Sequence, residues 1–111
     1  MNQLQAEHFQ QLLEEACDRH IESGGRIISR RFTSYEDGGQ CPLTCLLGRQ
    51  TMYYKALEAN RLLNTHTISD EELWALVFAF DGKFVPDHQD FVSAKLIGKA
   101  LRHKYIQESS T

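Results

Sequence analysis

Ser69-Asp70-Glu71-Glu72-Leu73-Trp74-Ala75-Leu76-Val77-Phe78-Ala79-Phe80-Asp81-Gly82 carries its own start and stop signals. Ser69 is placed to cap a helix, and Glu72, three residues on, can reach back to the Ser69 N–H, the reciprocal pairing of a capping box. Asp81-Gly82 closes the segment. From Leu73 onward the residues are apolar on nearly every side, so this helix is expected to be the most buried element, with Trp74 inside the core. A central helix of that kind needs other helices to cover it, and the rest of the chain supplies them.

On the N-terminal side, residues 2–22 repeat with a helical period. Ala6, Phe9, Leu12, Leu13, Ala16 and His20 fall on one face and Glu7, Glu14, Asp18 and Glu22 on the other. Ser23-Gly24-Gly25 ends that helix, glycine being suited to a left-handed cap. A further helical region opens at Pro42, breaks or kinks near Gly48, and resumes through Met52, Tyr53, Ala56, Leu57, Leu62 and Leu63. On the C-terminal side, Pro86-Asp87 reads as the start of a last helix, with Asp87 or Asp90 at its positive end. Phe91, Ala94, Ile97, Gly98, Leu101 and Tyr105 are its core face. Residues 107–111 read as a fraying end.

Residues 26–40 break the helical pattern. Arg26 to Thr33 suits a short strand or extended loop, and residues 35–40 have a turn composition. The fold class is therefore mainly α: a compact bundle of four to five helices with a short extended or hairpin segment near 26–36. With 111 residues and no long linker, residues 1–111 are expected to form a single helical domain.

Composition narrows the function classes. Apolar residues make up 41% and charged residues 24% of the chain, ordinary for a globular protein. No run is long enough to span a membrane and the N-terminus lacks a signal-peptide pattern, so a cytoplasmic protein with no membrane association is expected. Three cysteines do not make a disulfide framework and read as reduced thiols. The net charge of −3 conceals alternating blocks: residues 1–22 and 67–94 are acidic, residues 23–66 and 95–111 basic. These blocks are expected to neutralise one another across the fold.

Three groups of residues carry candidate chemistry. Cys17-x-x-His20 and Cys41-x-x-x-Cys45 together offer four ligands of the kind tetrahedral zinc accepts, which makes zinc the one cofactor the residues suggest; packing is the competing role for all four. A redox pair is less well matched, because three residues rather than two separate Cys41 from Cys45, although a thiol just ahead of a helix has its thiolate favoured by the dipole. Arg26, Arg30 and Arg31 form one basic cluster and Lys95, Lys99 and Arg102 another, suited to phosphate contact. Against a dedicated nucleic-acid binder stands a pI of about 5.9. Tyr53 and Tyr54 are adjacent on a helix, so one of them must reach the surface or its boundary, where a tyrosine can anchor a partner.

Catalytic and calcium-binding patterns are missing from the sequence. There is no glycine-rich phosphate loop, no Gly-x-Ser-x-Gly and no His-Glu-x-x-His. The loop holding Asp81 and Asp87 places lysine, phenylalanine and valine where calcium ligands belong. The sequence thus points to a non-catalytic protein-interaction module, an adaptor, regulator or inhibitor, with another protein or a second copy of the chain as partner. A zinc-stabilised domain and a weak phosphate-directed nucleic-acid binder are the alternatives.

Overall fold

The computed structural model describes residues 1–34 and 36–106. Five α-helices and a small sheet are built in chain order. Helix α1 (Gln3–Glu22) starts at Asn2, whose side chain accepts from the Gln5 N–H while Gln5 returns a bond to the Asn2 N–H. Its buried residues are Phe9, Leu13, Ala16 and Cys17. The inward face is therefore rotated from the sequence expectation: Cys17 is fully buried and His20 lies at the margin.

Three two-residue strands follow, β1 (Arg26–Ile27), β2 (Thr33–Ser34) and β3 (Gly39–Gln40). The sheet has order β1-β3-β2, with β1 parallel and β2 antiparallel to the central β3. The extended segment expected near 26–36 is thus present, completed by a third strand beyond it.

Pro42 opens α2 (Pro42–Leu47), where its missing N–H leaves no bond unmade. Gly48, at φ 89°, stops the helix in a conformation that disfavours other residues. The break expected there is real, and α3 (Met52–Leu63) starts after it and ends on Asn64 in the left-handed region. Helix α4 (Asp70–Phe80) has the expected capping box between Ser69 and Glu72. Seven of its eleven residues are buried, Leu73, Leu76 and Phe80 almost completely.

Two sequence expectations need correction. Pro86 and Asp87 do not begin the last helix. The chain has no regular secondary structure over residues 83–88, His88 itself being extended with its ring Nδ1 accepting from the Asp90 N–H, and makes a 3-10 turn over Gln89–Phe91 before α5 (Val92–Tyr105). Asp87 pairs with Lys95 instead, at 3.2 Å. Trp74 is not a core residue: it is 39% exposed, on the flank of α4 rather than its inward side. The fraying expected of 107–111 lies outside the described residues.

One hydrophobic core joins all five helices, built on Phe9, Leu13, Leu43, Leu73, Leu76, Phe80, Ile97 and Leu101. Helices α4 and α5 approach closely at Gly98, where a Cβ would lie 2.4 Å from the Leu76 carbonyl oxygen. Acidic and basic blocks meet as expected where α5 crosses α1: Lys104 pairs with Glu14 at 3.3 Å, and the Tyr105 hydroxyl donates to Asp18 at 2.7 Å. Among the described residues no helix is long and apolar enough to cross a membrane.

Candidate functional site

The four candidate zinc ligands take different partners. His20 Nε2 lies 2.8 Å from the Gly38 carbonyl oxygen. A carbonyl only accepts, so this nitrogen carries the proton and donates. The imidazole covers Gly25 so closely that a Cβ there would fall 2.2 Å from Nε2. His20 thus ties the end of α1 to the turn before β3. Cys41 is the N-cap of α2, its Sγ accepting from the Thr44 N–H at 3.4 Å. Burial pushes the Cys41 thiol up, against the opposing hydrogen bonds from Thr44 and Leu43. The lowered thiol the sequence suggested for this position is therefore not found at Cys41, because desolvation outweighs the helix terminus.

The lowered thiol is Cys45, one turn further on. Cys45 is half-buried and shares a hydrogen bond with Cys17 across the α1–α2 contact; that bond lowers Cys45, with burial opposing, and raises Cys17. The thiol pair is therefore Cys17–Cys45 rather than Cys41–Cys45. Among the described residues no three His, Cys, Asp or Glu side chains are grouped so as to hold a metal ion.

The basic clusters also separate. Arg26 pairs with Asp37 at 2.8 Å, Lys95 with Asp87, and Arg102 donates to the Phe80 carbonyl at 2.8 Å, capping the C-terminal end of α4. Lys99 is exposed on α5. Arg30 and Arg31 lie elsewhere, on the loop between β1 and β2. Tyr53 and Tyr54 are both exposed, at 60% and 55%, with their rings edge-to-face at 5.4 Å.

Arg30 and Arg31 line the feature that the sequence did not anticipate. With Phe32, Trp74, Val77, Phe78, Asp81 and Lys83 they enclose a surface groove of about 110 Å³. Trp74 and Phe78, four residues apart on α4, form one ridge, their ring centroids 5.7 Å apart. Phe32 extends the ridge from the loop, 5.8 Å from Trp74. Lysines flank it: the Lys83 ammonium lies 5.7 Å from the Phe78 ring and that of Lys55 4.6 Å from the Phe32 ring. Lys55 is almost wholly buried, its ammonium donates to the Gln50 carbonyl, and burial lowers its pKa.

The loop over the groove is held in an unfavourable conformation. Arg30 has φ 69°, in the left-handed region that non-glycine residues seldom occupy, and its N–H donates to the buried carboxylate of Asp81 at 2.7 Å. This bond fixes the base of the loop and directs Arg30, Arg31 and Phe32 along the flank of α4. The i, i+4 pair Trp74/Phe78 and the run Arg30-Arg31-Phe32 were the available signals; nothing in either segment says that they meet. Compared with family models, curated proteins and solved structures, the chain shows no match to any of them.

Proposed function

We propose that this chain is a non-catalytic protein-interaction module of the cytoplasm, and that the partner contacts the groove along Phe32, Trp74 and Phe78. The observation that carries this reading is the position of Trp74, the sole tryptophan, 39% exposed within an aromatic row and beside unburied arginines. Tryptophan and arginine are the residues most often found at the energetic centres of interfaces, where a partner desolvates them. The free thiols, two of them buried, accord with a reducing compartment.

The test is site-specific photo-crosslinking in cells, with the photoreactive residue placed at Trp74, Lys99 or Gln11. An adduct of discrete mass formed from position 74 and not from the two control positions supports the reading. Equal adducts from all three positions would make the groove no more than ordinary surface.

A second contact, between copies of the chain, is supported by α3. Tyr53, Tyr54 and Leu57 there are 60%, 55% and 48% exposed. A dimer formed on that face would show twice the monomer mass in sedimentation and return to monomer in Tyr53→Glu.

A further inference from the structure

We propose that the occupant of the Phe32–Trp74–Phe78 groove is an acidic peptide segment that inserts one aliphatic side chain between the aromatic ridge and the Arg30–Arg31 loop. The proposal rests on the groove being the partner-binding surface and adds the chemistry of the partner.

Charge is the first argument. Arg30, Arg31 and Lys83 are exposed at the rim, and none of them forms an ion pair with a carboxylate among the described residues. Among the described residues Asp81 is the one carboxylate lining the groove, and it is 5% exposed and accepts the Arg30 N–H. The rim therefore presents three cations to solvent on a protein whose net charge is −3. Several basic groups elsewhere on the surface are paired locally, Arg26 with Asp37, Lys95 with Asp87 and Lys104 with Glu14, whereas at this rim three cations unpaired among the described residues border one groove. Complementary charge at a rim guides encounter and excludes wrong partners.

Size is the second. At about 110 Å³ the groove is smaller than the ~150 Å³ apolar cavity that accepts a benzene ring. Leucine, isoleucine, valine or methionine is therefore the anchor, lying against the edges of Trp74 and Phe78.

Other occupants fit less well. A single-stranded nucleic acid would stack bases on open ring faces. Here Phe32 and Phe78 each carry a lysine over the ring, and the three aromatic rings lean on one another at tilted angles. A symmetric dimer would place this cationic rim against its own copy, a like-charge contact.

The test is selection of random twelve-residue peptides displayed on phage against the full chain, with counter-selection on Trp74→Ala and, separately, on the surface variant Arg31→Glu/Lys83→Glu. Selected peptides are then synthesised and titrated by Trp74 emission, alongside a sixteen-nucleotide oligothymidylate. The expected result is enrichment of Asp and Glu around one aliphatic residue, with binding at least about tenfold weaker in Arg31→Glu/Lys83→Glu and in high salt. Neutral or basic peptides that perturb Trp74 equally in low and high salt would overturn the acidic partner and leave the groove as a binding surface. Tighter binding of the oligothymidylate than of any peptide would overturn it in favour of nucleic acid. No peptide enriched on the wild type over both variants would remove the groove as a peptide-binding surface altogether.

Discussion

The Arg30 N–H and Asp81 Oδ1 are 2.7 Å apart, joining residues 51 positions distant in the chain, and this bond sets the loop that carries Phe32 to Trp74. Arg30 holds a left-handed conformation at φ 69° to make it. Strain of this kind persists only where surrounding bonds over-determine the backbone, and Asp81 is the group that does so here.

Asp81→Ala leaves the Arg30 N–H without its acceptor inside a partly buried site. The expected cost is about 1–3 kcal/mol of folding stability, with Trp74 emission shifted to longer wavelength as the loop moves off the ridge. Asp81→Asn keeps an acceptor oxygen and should lose less. Denaturant unfolding of both variants measures the difference, and equal losses would mean that the bond does not position the loop.

Cys45 should be the reactive thiol. Cys41 and Cys17 are buried and raised, whereas Cys45 is half-buried and lowered from its ordinary value by the bond with Cys17. The thiolate is the reacting form, so the iodoacetamide rate should rise with pH around a midpoint below the ordinary thiol value of 9.0. In Cys17→Ala the partner thiol is gone and the midpoint should move up. Mass spectrometry of the alkylated native protein locates the label. Modification first at Cys41 would show that the helix terminus, rather than the Cys17 bond, controls the thiols.

The helices were legible where the signals are local. The Ser69–Glu72 capping box, Pro42 at the start of α2 and Gly48 at its end each act within a few residues, and each appears where the sequence put it. The orientation of α4 was not legible. A helix apolar on nearly all sides has no polar face to say which flank is left outside, so the pattern alone places Trp74 in the core. The pairing of Cys17 with Cys45, and of Arg30 with Asp81, depends on contacts between elements distant in sequence. The start of α5 departs from the sequence pattern because Pro86 and Asp87 are good helix openers in general, while here His88 caps a 3-10 turn first. The groove needed both kinds of information at once: a local i, i+4 aromatic pair and a loop brought to it by a distant carboxylate.

Gly98 should tolerate no side chain. A Cβ there would stand 2.4 Å from the Leu76 carbonyl oxygen and 2.7 Å from the Ala79 Cβ, both on the facing helix. Backbone cannot give way as the end of a flexible side chain can, so Gly98→Ala must push α5 from α4. Overpacking of a well-filled contact costs typically about 1–3 kcal/mol, despite the gain in helix propensity from alanine. That corresponds to a lowering of the unfolding midpoint by roughly 4–8 °C per kcal/mol for a domain of this size. An unchanged midpoint would mean that the two helices are less closely packed than this contact requires.

Trp74 and Phe80 lie on the same helix and should respond differently to truncation. Phe80 is 1% exposed within the core, and Phe80→Ala should cost about 3–5 kcal/mol through lost burial and the cavity it leaves. Trp74 is larger but 39% exposed, and it borders an open groove that water can fill. Trp74→Ala should therefore cost about 2 kcal/mol, set by its buried fraction without a closed cavity. The comparison is of two unfolding curves under one set of conditions. A Trp74→Ala loss as large as that of Phe80→Ala would return Trp74 to the core and leave the groove without its central residue. A smaller loss, accompanied by loss of peptide binding, separates the part of α4 that holds the fold from the part that meets a partner.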